Sequence, residues 1–173
     1  WLCWSFAKQF GLPIWLSILL VLAVSVLAGL GVERFILRPL IGQPILAIII
    51  ATLALGYLLD GVAIMAWGAD VKRMPEFIPE EVFWLGPVSI PQQYVIAFTI
   101  AIVLFILLLL FFRYTRWGLG MQIVSEDQQV AQSLGISVKN VFAQTWALAL
   151  VMAAIAGMLW ASLYAVSNFN ALI

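Results

Sequence analysis

Histidine does not occur among the 173 residues, and cysteine occurs once, at Cys3. Without histidine, the usual metal ligand sets and serine–histidine hydrolase chemistry are missing, and one cysteine excludes an intrachain disulfide. Charge is scarce too: eight Lys plus Arg and eight Asp plus Glu make up 9% of the chain and cancel. A balanced, sparse charge leaves no basic surface for nucleic acid. No GxxxxGK phosphate loop occurs, so any nucleotide hydrolysis must come from another chain. No catalytic residue, metal site or cofactor is expected.

What the chain has is apolar length. Hydrophobic residues make up 65% of it, and the mean hydropathy is +1.14, far outside the range of soluble domains. A bilayer core about 30 Å thick takes roughly 20 apolar residues as a helix. Gln9 to Val32, 24 residues without charge, meets that length. The pattern predicts an all-α polytopic bundle with about four spans: Leu12 to Val32, Ile45 to Trp67, Gln93 to Phe112 and Val141 to Tyr164. The chain starts at Trp1 and stops at Ile173 inside an uncharged run, and is expected to be a single transmembrane domain cut from a longer protein.

Orientation follows from the basic residues of the short loops. Arg34, Arg38, Arg113, Arg116 and Lys139 fall on one side, and Lys8, Lys72 and Arg73 on the other. Five against three places Arg113 to Lys139 inside and Gly68 to Gln92 outside. Trp67 and Trp84 then mark the outer interface and Trp117 the inner one. The outer loop carries Pro75, Pro79, Pro87 and Pro91, and Val82 to Leu85 with Val88 to Ile90 read as a small strand-turn-strand. It is either a rigid connector or a docking surface for an extracytoplasmic partner.

Between two uncharged runs, Arg113 to Lys139 is a polar island. Within it, Ser125 with Gln128 fits a capping box, Glu126 and Asp127 suit the positive end of a helix dipole, and Gly135 supplies a left-handed stop. A helix of two and a half turns is too short to stand alone, and Val130, Ala131 and Leu134 give it one apolar face. Such a helix is either an ordinary interfacial turn or a coupling helix for a cytoplasmic motor. Asp60 is the one acid placed within a span; with Thr52 and Gly56 it either lines a path or makes a structural polar contact. Gly118 and Gly120 suit a chain turn, and Ala153, Ala154, Gly157 and Ala161 suit close helix packing.

Four stretches carry a resemblance: Glu33 to Leu40, Ala51 to Gly56, Gly118 to Met121, and Glu126-Asp127 with Leu134 to Ile136. Together they resemble the permease subunits of bacterial ATP-binding-cassette importers for branched-chain amino acids, the LivH-like group. The resemblance implies a multi-pass protein of the bacterial inner membrane that pairs with a second permease subunit. It also implies cytoplasmic ATP-binding subunits docked on the coupling region, where Glu126, Asp127 and Gly135 match, and an extracytoplasmic substrate-binding protein. Leu119 and Gln122 stand where such permeases often have basic residues, and Asp60 where an uncharged amide is usual. Urea or short amides are alternative solutes within the group. An ion-coupled carrier using Asp60 and a non-transporting membrane scaffold are the alternatives outside it.

Overall fold

The computed structural model describes residues 1–40, 43–68, 70, 82–85 and 88–164. Lys72, Arg73, Pro75, Pro79 and the Gly86-Pro87 turn lie outside them. The chain opens with a helical turn, α1 (Leu2–Trp4), which widens into a π turn at Ser5–Gln9. Gly11, at a φ of 63°, then turns the chain toward Pro13.

Proline starts three of the four long helices. Pro13, Pro44 and Pro91 precede α2 (Ile14–Val32), α3 (Ile45–Trp67) and α4 (Gln92–Tyr114), with φ of −59°, −54° and −59° and extended ψ. The ring fixes φ, and a residue that opens a helix has no use for the missing N–H. The Pro13 carbonyl accepts the first helical bonds, from the N–H groups of Leu16 and Ser17 at 3.0 Å each. Gly68, at φ 79°, ends α3. Between α3 and α4 the strands β1 (Val82–Leu85) and β2 (Val88–Pro91) pair antiparallel, Phe83 opposite Ile90 and Trp84 opposite Ser89. The two strands anticipated there are present, and the rest of the described chain is helical, through α5 (Arg116–Glu126), α6 (Gln128–Ser133) and α7 (Val138–Tyr164).

Among the described residues, four helices are long and apolar enough to cross a membrane. In the second and third, none of the most apolar stretch is buried within the chain, and in the first only 17% is. Apolar helices with so little burial need an apolar solvent or further helices around them, because lipid covers such side chains at no cost. The four spans and the all-α bundle agree with the expectation from hydropathy.

The principal packing joins α2 to α7. Along α2 every fourth residue is buried: Ser17, Val21, Ser25 and Gly29, continuing through Glu33 and Leu37. Four-residue spacing makes one ridge on a helix, and small members let a neighbour's backbone approach. A Cβ on Gly29 would lie 2.7 Å from the Ala147 Cα and 2.8 Å from the Trp146 carbonyl oxygen. The Ser17 and Ser25 hydroxyls donate to the carbonyls of Pro13 and Val21 on their own helix, which satisfies them inside an apolar seam. The residues expected to bring α7 into close contact divide differently. Ala161 is buried, but Ala153 is exposed and Gly157 faces open space. The close approach belongs to Ala147, because the small ridge that sets it lies on the partner helix.

Two features depart from the sequence reading. Trp1 to Phe10, ahead of the first expected span, docks on the end of α3. The Trp1 and Trp67 rings stack at 6.3 Å and the Trp67 indole N–H donates to the Ser5 hydroxyl. Cys3 in the same turn is buried, and burial pushes its thiol above the ordinary value. The second departure is at Glu33 to Leu40, placed in the first inner loop. The helix instead runs on as a π turn, Glu33–Leu37, and a 3₁₀ turn, Arg38–Leu40. Pro39 explains the change of winding, since its ring clashes with the carbonyl four residues back and it has no N–H to give a regular turn.

Gly29→Ala is expected to force α2 and α7 apart and to destabilise the protein by about 1–3 kcal/mol. Gly31→Ala and Gly157→Ala, where nothing lies within 4 Å, serve as neutral controls. Thermal unfolding in detergent distinguishes them: a lowered Tm for Gly29→Ala alone is expected.

Candidate coupling surface and path residues

The island begins at a hinge. Thr115, at φ −102° and ψ 145°, breaks the helix between α4 and α5. Its hydroxyl donates to the Phe111 carbonyl at 2.6 Å and accepts from the Gly118 N–H at 3.0 Å, so one side chain closes α4 and caps α5. Gly118 is the position where the helices meet, for a Cβ there would sit 2.6 Å from both the Phe111 oxygen and the Phe112 Cα. Gly120 is not constrained in this way; its nearest neighbour, a Val141 methyl, would be 3.9 Å from an added Cβ. Gln122 reaches back to the Phe112 carbonyl at 3.4 Å.

The short helix differs from its expected form. Ser125 does not cap it, because Ser125 and Glu126 are the last residues of α5 and the Ser125 hydroxyl donates back to the Gln122 carbonyl at 2.7 Å. The cap is Asp127, in extended conformation at φ −152°, whose Oδ1 accepts from the N–H groups of Gln129 at 2.7 Å and Val130 at 3.1 Å. A carboxylate serves both as acceptor and as counter-charge to the helix dipole. The helix is therefore six residues long, Gln128–Ser133, with exposed Gln128 as its first residue rather than as the partner in a capping box.

Its far end closes with a Schellman motif. Gly135 stands at φ 79°, its N–H donates to the Gln132 carbonyl and the Ile136 N–H to the Ala131 carbonyl, both at 3.0 Å. Ile136 then packs into the cluster that holds Ala131. That cluster consists of Met121 and Val124 from α5, Ala131 from α6 and Val138 and Val141 from α7, flanked by Phe111 and Phe112 of α4. The expected single apolar face is thus split. Ala131 is 0% exposed and anchors the helix, while Val130 and Leu134, four residues apart and 50% and 65% exposed, point away from the cluster. Glu126, Asp127, Gln128 and Gln129 are exposed around them. A short rod fixed at both ends, pinned through one alanine, presents two apolar side chains inside a polar rim.

The second set of candidates, Thr52, Gly56 and Asp60, lies on α3 at four-residue spacing and so along one stripe. The structure does not bring this stripe to the island, for α3 is not among the elements packed against α5 or α6. The Thr52 hydroxyl donates to the Ile49 carbonyl at 2.9 Å, its own helix backbone. Gly56 and Gly61 face open space, and Asp60 is half-buried with no ion pair among the described residues.

Sequence reasoning missed an acid. Glu33 belongs to the first span's helix and is 3% exposed, in the turn that follows α2 and packs on α7. Sequence alone puts it in a loop, because a charge is the natural place to end an apolar run. The four-residue repeat from Ser17 was the signal that reached it.

Comparison with known proteins agrees with this architecture. The family model described as branched-chain amino acid transport system / permease component matches residues 2–173. The high-affinity branched-chain amino acid transport system permease protein BraD of Pseudomonas aeruginosa is 25% identical over 144 residues, which is 81% of this chain and 47% of that protein. The permease proteins LivH of Salmonella typhimurium and of Escherichia coli, from systems of the same description, are each 25% identical over 146 residues, again 81% of this chain and 47% of theirs. The chain spans about half the length of these relatives. No solved structure matches it. With its multi-pass apolar helices and a match along nearly all of its length, the chain belongs to the family of branched-chain amino acid transport system permease components.

Proposed function

We propose that the chain is the membrane-spanning permease part of an ATP-driven, binding-protein-dependent importer in the bacterial inner membrane, carrying branched-chain amino acids. In this reading α6 is the coupling helix. The observation that carries it is the split of α6 into one fully buried residue, Ala131, and two exposed apolar ones, Val130 and Leu134, between caps that hold both ends. A surface of that kind suits a groove on a cytoplasmic ATP-binding subunit, where an apolar anchor supplies affinity and a polar rim supplies fit. The names of the relatives support a branched-chain amino acid as the solute. ATP hydrolysis then takes place on the partner, a second permease subunit completes the pore, and an extracytoplasmic binding protein delivers the solute.

Motion would travel by packing. The buried cluster ties α6 to the ends of α4 and α7, so a push on α6 moves these elements together, and α7 carries α2 with it through the Gly29–Ala147 contact. Among the described residues nothing lies against Gly56, and Thr52 and Asp60 on the same stripe are half-buried, which suits a wall of a path completed by other helices. A coupling carboxylate at Asp60 is the alternative role for that residue.

Two outcomes test the reading in proteoliposomes that contain the full-length permease, its ATP-binding subunits and binding protein. Leu134→Glu is expected to lower ATP-dependent leucine uptake at least about tenfold, the equivalent of one lost apolar anchor, and to weaken co-purification of the ATP-binding subunits. Unchanged uptake and assembly would count against a docking role for α6. Asp60→Asn is expected to keep ATP-driven uptake; abolished uptake, together with dependence of the parent protein on an ion gradient, would favour the ion-coupled carrier.

A further inference from the structure

Glu33 has two properties that the coupling reading does not use. Its carboxylate is almost wholly buried, and its Oε1 has no hydrogen-bond partner. Arg38 is the nearest cation, with Nε 3.7 Å from that oxygen, which is an ion-pair distance but too long for a hydrogen bond. Buried carboxylates are normally satisfied by donors as well as by charge.

The pair exists because of the π turn. In a regular α-helix, residues five apart are rotated about 140° beyond a full turn, so Glu33 and Arg38 would face different sides. The wider winding, in which the Arg38 N–H bonds to the Glu33 carbonyl five residues back, sets them over one another. Pro39 stands directly after, and together these residues hold a carboxylate against the seam with α7.

The α7 groups near that level follow from register. A chain that crosses four times sets its first and fourth spans antiparallel, and Gly29 meets Trp146 and Ala147. One turn inward along α2, Glu33 stands level with about residues 142 to 144 of α7. Phe142 packs on the island cluster, whereas Gln144 is half-buried, and its amide makes no hydrogen bond among the described residues. By this register an acceptor short of a donor and an amide short of an acceptor come within about one helical turn of each other, next to the elements that join α7 to the island.

We propose that Glu33 is a positioning residue for transport, which latches α2 to α7 by accepting a hydrogen bond from the Gln144 side-chain amide in one state of the cycle and releasing it in the state seen here. The proposal rests on the ATP-driven reading and adds to it the contact that makes α2 follow α7. Arg38 stays beside the carboxylate and keeps it aimed.

The test has two parts, both on the full-length protein assembled with its ATP-binding subunits. In native membranes, Glu33→Cys with Gln144→Cys in a Cys3→Ser background is expected to crosslink on mild oxidation in one nucleotide state and much less in the other. No crosslink in any state overturns the latch whether or not the importer reading holds. In proteoliposomes, Glu33→Gln and Gln144→Ala are each expected to lower solute imported per ATP hydrolysed about fivefold or more, with assembly and basal hydrolysis retained. The double variant is expected to be no worse than either single one. Losses that multiply, or a lowered Tm with an unchanged import-to-hydrolysis ratio, mean a merely structural residue and overturn the proposal. Loss of assembly in the parent protein would speak against the importer reading instead, and would leave the crosslink as the deciding result.

Discussion

Everything about the island depends on burying one methyl group. Ala131 is wholly enclosed by side chains from α5 and α7, and only a small residue lets a six-residue helix lie close enough to share their core. A helix of that length has no stability of its own. Asp127 satisfies its first N–H groups, Gly135 turns the chain at its end, and the cluster of Met121, Val124, Val138 and Val141 supplies the apolar contact. Because these residues come from both sides of the island, α6 is a rigid extension of two spans rather than a loop hung between them.

The spans themselves follow a different logic. Lipid is as apolar as their side chains, so helix association needs close approach rather than hydrophobic burial. Among the described residues the spans meet that need along the ridge from Ser17 to Leu37 on α2, where Gly29 admits the backbone of α7. The most apolar stretches of α3 and α4 are not buried within the chain. A permease that works with further helices, its own or a partner's, has reason to leave such faces open.

How legible this was in the sequence differs from residue to residue. The four spans were plain, since uncharged runs of that length have few other fates, and Gly135 was plain because a left-handed stop favours glycine. The start of α6 was not. Ser125 and Asp127 are both good caps two residues apart, and the choice fell to Asp127 because α5 must run on far enough to seat Val124 in the cluster. Glu33 was legible only through the four-residue repeat from Ser17, against the rule that a charge ending an apolar run is usually outside, and nothing local reveals that Ala147 waits for Gly29 on a helix more than 100 residues later. Thr52 was legible in its modest form, as a hydroxyl returned to its own helix.

Force transmission through α6 requires that its exposed side chains lie in the cytoplasm and against another protein. The most direct measurement is the labelling of Leu134→Cys, in a Cys3→Ser background, by a membrane-impermeant maleimide in right-side-out and inverted vesicles. Reaction only in inverted vesicles, blocked when the ATP-binding subunits are bound, is the result expected. Reaction in right-side-out vesicles would place this helix on the outer face and contradict the account.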